Sequence, residues 1–145
     1  MGERGYEIAV HSAAPPAVVF AVVADGPGWV RWTALGHASY EVEGTPAPHG
    51  VGAIRRLGAA FGPRSREQVV VYDPDHHFAY EALSGPLPMK DYRAEVRLTP
   101  AADGGTDISW IGSFRSGVPG MGWFIARMVR GFAEGLVAES ERLAS

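Results

Sequence analysis

The sequence predicts an α+β fold in which a curved antiparallel sheet of seven strands wraps around a long C-terminal helix. Two observations carry this prediction: a series of short alternating runs separated by Gly and Pro, and a final amphipathic stretch of about six helical turns. The chain has 145 residues, of which 46% are hydrophobic and 20% are charged. This length and balance are typical of one globular domain, so we expect a single domain over residues 1–145.

The first strand and two short helices are expected at the start of the chain. Residues 5–11, GYEIAVH, alternate apolar and polar positions as a strand does. A Pro-Pro pair then favours a helix start, and a breaker cluster begins at Asp25, so we expect a helix over residues 16–24. A second short helix or turn is expected over residues 28–33. Its Trp29 and Trp32 are three residues apart, which places both indoles on one face.

Six further runs predict strands two to seven. They are SYEVEG, GAIRRLGAA, SREQVVVYD, HFAYEALS, MKDYRAEVRLT and TDISWIGSFRS, with turn-forming segments rich in Gly and Pro between them. Alternation gives the last three strands a buried face, which comprises Phe78, Tyr80, Tyr92, Ala94, Val96, Leu98, Ile108, Trp110 and Phe114. The run from 65 to 72 is ambiguous because three consecutive valines interrupt its alternation. The orientation of Glu67 and Gln68 therefore stays open.

The residues after Gly120 predict one long amphipathic helix. The expected buried stripe comprises Ile125, Met128, Phe132, Leu136 and Leu143, and the expected solvent-facing side carries Arg127, Arg130, Glu134 and Glu141. Gly131 and Gly135 lie inside this helix, where each costs roughly 1 kcal/mol relative to Ala. Such a cost suggests either close packing against a neighbouring segment or space left for a ligand.

Charge and composition argue against several classes of function. The net charge is −3, the pI is near 5.9 and the basic residues are dispersed, so nucleic acid is not an expected partner. The sequence has no cysteine, which excludes disulfides, thiolate catalysis and zinc–thiolate sites. Charged residues near the N-terminus argue against a secretory signal, and the longest apolar run, residues 17–24, is too short to span a bilayer. We therefore expect a cytoplasmic protein.

Several phrases of the sequence, together with the order of the predicted elements, resemble one known superfamily. They are APPAVVFAVVAD followed by GPGWVRW, REQVVVYDPDHHFAYEALSGPLPMKDYRAEVRLTP, GGTDISWIGSF, and PGMGWFIARMVRGFAEGL. They look like the helix-grip fold of the START-like (SRPBCC) and birch-pollen-allergen superfamily, in its bacterial polyketide cyclase/dehydrase-like branch. The resemblance implies a cavity between sheet and C-terminal helix for a lipid, polyketide, hormone or other apolar ligand. It implies no particular catalytic residues, because these vary between members.

The candidate ligand-binding residues are mostly apolar side chains of the predicted inner face, with two charged groups on nearby strands. They are Trp29, Trp32, Arg55, Glu67, Tyr80, Tyr92, Trp110, Phe114, Phe124, Met128 and Phe132. Aromatic walls with a few polar tips are typical of small-molecule pockets. A single buried ring is more commonly a core residue, so the prediction depends on the whole set. For Arg55, Arg56 and Glu67, the usual exposure of charged residues favours a salt-bridged, solvent-facing strand surface.

The residue spacing gives little support to metal, phosphate or triad chemistry. His76 and His77 belong to or flank a DPDH turn and are expected in solvent, while His11, His37 and His49 have no His or carboxylate partner at ligand spacing. The glycines of GVGAIRR precede no helix start, which argues against a phosphate loop, and no GxSxG motif occurs. We expect no metal and no cofactor.

Three functions remain as hypotheses. The leading one is a binder of a hydrophobic small molecule, with little or no catalysis, that exists as a monomer or a homodimer. The second is a polyketide aromatase, cyclase or dehydratase acting by confinement and acid–base help, which requires a buried Glu67 or Arg55 within hydrogen-bond reach of Tyr80 or Tyr92. The third is a protein-interaction role, for which an exposed apolar patch, for example around residues 87–89, would be the sign.

Overall fold

The computed structural model describes residues 2–145, in which it contains seven β-strands, two α-helices and one 3₁₀ helix. In chain order the elements are β1 (Gly2–Ser12), α1 (Pro16–Ala24), the 3₁₀ helix (Pro27–Arg31), β2 (His37–Val42), β3 (Ile54–Gly58), β4 (Arg64–Asp73), β5 (His77–Ser84), β6 (Lys90–Pro100), β7 (Thr106–Ser116) and α2 (Met121–Ala144). The predicted α+β fold class is confirmed, and the predicted elements differ from the observed ones by only a few residues at their ends. No helix within residues 2–145 is long and apolar enough to cross a membrane.

All seven strands form one antiparallel sheet in the order β1-β7-β6-β5-β4-β3-β2. Because β1 and β2 lie at opposite edges, the chain crosses from one edge to the other through α1 and the 3₁₀ helix. This crossing segment is apolar, and Val19, Phe20 and Trp29 are buried in it. The indole nitrogen of Trp29 donates a hydrogen bond to the carbonyl oxygen of Val23 at 2.9 Å, which ties the two short helices together. As predicted, Trp29 and Trp32 share one face, with ring centres 4.9 Å apart.

A bulge in β4 explains the orientation of Glu67, which the three consecutive valines had left ambiguous. Val69 and Val71 pair with consecutive residues of β5, so the residue between them has no partner of its own. An extra residue reverses the alternation of a strand. Before the bulge, Glu67 and Val69 face the inside of the protein, and after it Tyr72 does, where its ring packs edge-on against that of Phe20.

The buried stripe of α2 differs in part from the predicted one. The helix packs mainly against β1 and α1. Ile125 and Leu136 are fully buried as predicted, but Leu143, in the last turn, is 52% exposed. Val129 and Ala133 are buried instead of the larger neighbours Met128 and Phe132, which are only partly buried. The fully buried stripe of α2 therefore includes smaller side chains than the predicted one.

The two interior glycines of α2 have different surroundings. A Cβ atom at Gly135 would lie 2.0 Å from the backbone oxygen of Trp32, so the end of the 3₁₀ helix packs directly on the α2 backbone. A Cβ atom at Gly131 would meet nothing within 4 Å. Close packing therefore explains Gly135 and does not explain Gly131.

Two histidines have carboxylate partners that the sequence analysis did not expect. The ring nitrogens of His11 hydrogen-bond to Asp103 and Asp107 at 2.8 and 2.9 Å, and the bonds to Asp107 and Asp103 raise the pKa of His11. His77, expected in solvent, is partly buried and hydrogen-bonds to Glu95 at 2.9 Å. Local spacing could not reveal these partners because strand pairing brings them together from distant positions in the chain.

Alanine substitutions at the two glycines of α2 should have opposite effects on stability. Gly131→Ala should stabilise the protein by about 0.5–1 kcal/mol, because Ala is the better helix former and its methyl group meets open space. Gly135→Ala should destabilise it by about 1–3 kcal/mol, because the methyl group would overlap the Trp32 carbonyl. Urea denaturation gives both free energies of unfolding. Equal stabilisation by the two variants would contradict the close packing of Trp32 on α2.

Candidate binding cavity

A cavity of about 970 Å³ lies between the inner face of the sheet and α2. Its wall comprises residues of β3, β4, β5 and β6, the connection between β5 and β6, the 3₁₀ helix and the first half of α2. Known small-molecule pockets have volumes of roughly 300–1,000 Å³, so the space is large enough for a ligand of that kind. The rings of Tyr80, Tyr92 and Phe132 do not fill the space between sheet and helix.

Seven of the candidate residues line the cavity and four do not. The lining residues are Trp29, Glu67, Tyr80, Tyr92, Phe124, Met128 and Phe132, and the four buried outside the lining are Trp32, Arg55, Trp110 and Phe114. These four support lining side chains from behind. The Trp110 ring centre, for example, lies 5.8 Å from that of Trp29, and the Phe114 ring centre lies 6.0 Å from that of Tyr92. Alternation along a strand predicts the face of a side chain but does not predict whether that side chain reaches the cavity.

On the helix side, the cavity wall is one stripe of large apolar side chains. Phe124, Met128 and Phe132 are spaced four residues apart, which aligns them along one face of α2. Phe124 is 45% exposed, and the other two are partly buried. The helix thus has one stripe packed on β1 and a neighbouring stripe that faces the cavity.

Arg55 is completely buried behind the aromatic wall, with 0% of its surface exposed. Its guanidinium carbon lies 4.6 Å from the ring centre of Trp29, 4.8 Å from that of Tyr80 and 5.5 Å from that of Phe78. Cation–π attraction to these rings offsets part of the desolvation cost of the charge. A Cβ atom on Gly26 would lie 2.7 Å from the Arg55 Cδ atom, so glycine at this position leaves room for the arginine side chain.

Glu67 is the ion-pair partner of Arg55 and faces the cavity. The two residues lie opposite each other on β3 and β4, and Nη2 of Arg55 donates a hydrogen bond to Oε1 of Glu67 at 2.9 Å. Burial raises the pKa of the Glu67 carboxyl, while the charge of Arg55 and its hydrogen bond act in the opposite direction. The second carboxyl oxygen, Oε2, makes no hydrogen bond to the part of the chain that the structure describes.

The expectation that Arg55, Arg56 and Glu67 face solvent is wrong for two of these residues. Arg55 and Glu67 occupy inner-face positions, and only Arg56 lies on the outer face, where it binds Glu41 at 2.7 Å. Glu41 also binds Arg66, and the hydrogen bonds from Arg66 and Arg56 lower the pKa of Glu41 to about 2. Arg55 can be buried because a carboxylate and aromatic rings on the inner face offset the cost of removing its charge from water.

The tyrosines add hydroxyl groups to the wall. The hydroxyl of Tyr92 is hydrogen-bonded to that of Tyr6 at 2.5 Å, and burial raises the pKa of Tyr92 and of Tyr80. Within residues 2–145, neither Arg55 nor Glu67 hydrogen-bonds to Tyr80 or Tyr92. The arrangement that the enzyme hypothesis requires is therefore present in part: the charged groups are buried beside the tyrosines, but they are not bonded to them.

Sequence reasoning missed several lining residues. Leu57 lies two positions after Arg55 on β3, and this alternation could have indicated its inner-face position. The protein-interaction hypothesis requires an exposed apolar patch, for example around residues 87–89, which belong to the connection between β5 and β6. In the structure, Leu87 and Met89 instead line the cavity and pack partly against the core. No local pattern predicts this placement, because it depends on where the connection lies relative to α2.

The residues that the structure describes, 2–145, contain no group of three or more His, Cys, Asp or Glu side chains arranged to hold a metal ion. The polar side chains of the cavity lining carry hydroxyl, carboxyl or amine groups, and Glu67 is the least exposed of the charged ones.

The fold and the cavity define a START-like helix-grip protein, and comparisons with known proteins agree with this class. A START superfamily protein from Mycobacterium smegmatis superimposes with a TM-score of 0.79 at 13% identity, covering 98% of this chain and 99% of that chain. The protein Ara h 8.0201 superimposes with a TM-score of 0.77 at 18% identity, covering 96% and 98% of the two chains. At these identities the two likenesses concern the fold alone.

A protein from Thermobifida fusca has 26% identity and a TM-score of 0.76, covering 95% of this chain and 91% of that chain. No curated protein shows significant sequence similarity. The family model described as "Polyketide cyclase / dehydrase and lipid transport" matches residues 5–143. The chain therefore belongs to this family, and the resemblance seen in the sequence is confirmed.

Breaking the Arg55–Glu67 pair should be strongly destabilising. Arg55→Met should lower the free energy of unfolding by about 3–5 kcal/mol, because it leaves a carboxylate without its buried partner. Glu67→Gln should also destabilise the protein, and the double variant should be less destabilised than the sum of the single variants by about 2 kcal/mol. Chemical denaturation at pH 7 measures all three.

The matched control is Arg56→Met, the same substitution one residue further along β3. Its side chain is 50% exposed and pairs with Glu41 on the outer face, so we expect a loss below about 1 kcal/mol. Additive effects of the Arg55 and Glu67 substitutions would argue that the two side chains do not act as a pair.

Proposed function

We propose that this protein binds a hydrophobic small molecule, such as a lipid or a polyketide-like compound, in the cavity between the sheet and α2. The observation that carries the proposal is the cavity itself, about 970 Å³ in volume and walled by Trp29, Phe124, Met128 and Phe132. Transfer of an apolar ligand from water onto such a wall gains roughly 25 cal/mol per Å² of buried apolar surface. The family description, which names polyketide cyclases and lipid transport, supports the same class of ligand.

The position of the opening supports ligand entry from solvent. Leu83 and Phe124, both 45% exposed, belong to the cavity lining, so the wall continues to the protein surface. Phe61, which is 92% exposed, lies in the turn between β3 and β4, where Ala59 and Pro63 also line the cavity. An apolar rim of this kind favours the approach of a poorly soluble molecule.

Filling the cavity should abolish ligand binding without unfolding the protein. Ala82 on β5 and Met128 on α2 both contribute to the lining, so Ala82→Trp combined with Met128→Trp places two indoles in the space. The affinity for an apolar fluorescent probe such as 1-anilinonaphthalene-8-sulfonate or N-phenyl-1-naphthylamine should fall at least about tenfold, which corresponds to roughly 1.4 kcal/mol. Fluorescence titration measures it.

The control for this experiment is Arg130→Trp, which adds an indole on the exposed side of the same helix. It should leave the probe affinity unchanged. If the filled and control variants bind the probe as the wild type does, the ligand does not occupy this cavity and the proposal fails.

The second candidate function is an aromatase, cyclase or dehydratase that acts on a polyketide-like substrate in the same cavity. A specific observation favours it: the wall contains a carboxyl group, Glu67, whose pKa is raised by burial. A carboxyl group with raised pKa is suited to removing a proton from the carbon next to a ketone. Confinement by the aromatic wall would hold the substrate in one conformation.

Dehydration of an aromatic β-hydroxy ketone tests the second candidate. In this reaction the α-carbon loses a proton, the bond from the β-carbon to its hydroxyl breaks, and water leaves to give an enone with strong ultraviolet absorbance. The wild-type protein should accelerate the reaction, and Glu67→Gln should reduce that acceleration by about 10²-fold. If the wild-type protein does not accelerate the reaction, binding without catalysis is left as the function, and equal acceleration by the two proteins would contradict the role of Glu67 as the base.

A further inference from the structure

We infer that Glu67 is the polar anchor of the cavity and that it selects apolar ligands carrying a hydroxyl or amino hydrogen-bond donor over ligands carrying a carboxylate. This inference rests on the proposed binding function, because it concerns the chemistry of the ligand in the same cavity. It follows from the position of one carboxyl group and from the way its two oxygens are used.

The two oxygens of Glu67 have different surroundings. Oε1 accepts the hydrogen bond from Nη2 of Arg55 at 2.9 Å. Oε2 has no hydrogen-bond partner within residues 2–145, although the side chain is only 14% exposed and lines the cavity. Oε2 is not among the fully buried atoms without a partner, so it is accessible from the cavity, and a carboxyl oxygen placed in this way can accept a hydrogen bond from a donor on the ligand.

Arg55 fixes this geometry and does not itself reach the ligand. It is completely buried, is held over the rings of Trp29 and Tyr80, and is not part of the cavity lining. Because its guanidinium group lies outside the lining, against the rings of Trp29 and Tyr80, Oε2 of Glu67 is the nearer charged atom for a molecule bound in the cavity. Arg55 is thus a positioning residue for the anchor.

The other charged groups of the lining do not change this selection. Glu81, Lys90 and Asp91 are exposed at the rim. Each of the two acids there has an arginine at 3.9 Å, Arg93 for Glu81 and Arg115 for Asp91. Screened rim charges of this kind contribute little, so the deep carboxyl group decides the preference. A ligand carboxylate placed beside Glu67 would meet a like charge where solvent access is limited.

Four probes with one naphthalene ring system test the inference on the wild-type protein. They are naphthalene, 2-naphthol as the donor, 2-methoxynaphthalene as its counterpart without a donor, and 2-naphthoate as the anion. Fluorescence titration at pH 7 should show that 2-naphthol binds about tenfold more tightly than 2-methoxynaphthalene. It should also show that 2-naphthoate binds more weakly than naphthalene.

The variant Glu67→Gln should change this order in a specific way. It removes the negative charge from the lining while the positive charge of Arg55 remains behind it, so 2-naphthoate should bind at least about tenfold more tightly than to the wild type. The matched control is Glu134→Gln, the same substitution on the exposed side of α2 and outside the cavity lining, which should preserve the wild-type order. If Glu67→Gln does not fold, the comparison of the four probes on the wild-type protein still decides the question.

The outcomes separate this inference from the proposed function. If the probes bind but 2-naphthol, 2-methoxynaphthalene and 2-naphthoate bind equally well, the anchor role of Glu67 is overturned and the cavity remains a binding site. If none of the four probes binds, the proposed function and the inference are both overturned.

Discussion

The burial of one positive charge is the constraint on which the arrangement of this cavity depends. Arg55 is completely removed from solvent, and a buried charge is tolerated only where an opposite charge and polarisable groups surround it. Glu67 supplies the charge, and Trp29, Tyr80 and Phe78 supply the rings. Each of these side chains contacts the guanidinium group of Arg55 directly. The back of the cavity wall is therefore a cluster with fixed geometry.

Several features of the backbone follow from the same constraint. The bulge in β4 lets Glu67 and Tyr72 face the same side although they are five positions apart, a spacing that puts side chains on opposite faces of a regular strand. Gly26 allows the arginine side chain to pass beneath the chain between α1 and the 3₁₀ helix. Close contact of Gly135 with the Trp32 carbonyl then fixes α2 against the end of that 3₁₀ helix. The aromatic wall, the crossing segment and the terminal helix are thus linked through direct contacts.

Most of the fold could be predicted from the sequence, while the site could be predicted only in part. Strands such as β6 and β7 alternate cleanly because one face is buried, and this local pattern fixes their orientation. The burial of Arg55 could not be predicted from propensity, because its compensation comes from residues on other elements. The inner-face orientation of Trp110 and Phe114 was predicted from alternation. Their positions behind Trp29 and Tyr92 could not be predicted, because these positions depend on packing across the whole domain.

The cavity exists because α2 is held to only one side of the sheet. The helix packs mainly against β1 and α1, while the stripe containing Phe124 and Phe132 faces β4, β5 and β6 across a gap. To close this gap, the helix would have to approach the centre of the sheet. The rings around Arg55 already occupy the inner face at that position. The apolar stripe of the helix therefore faces the Glu67 carboxyl group and the aromatic rings of the inner face of the sheet. A ligand that fits both surfaces is an apolar molecule with one polar group at the end that reaches Glu67.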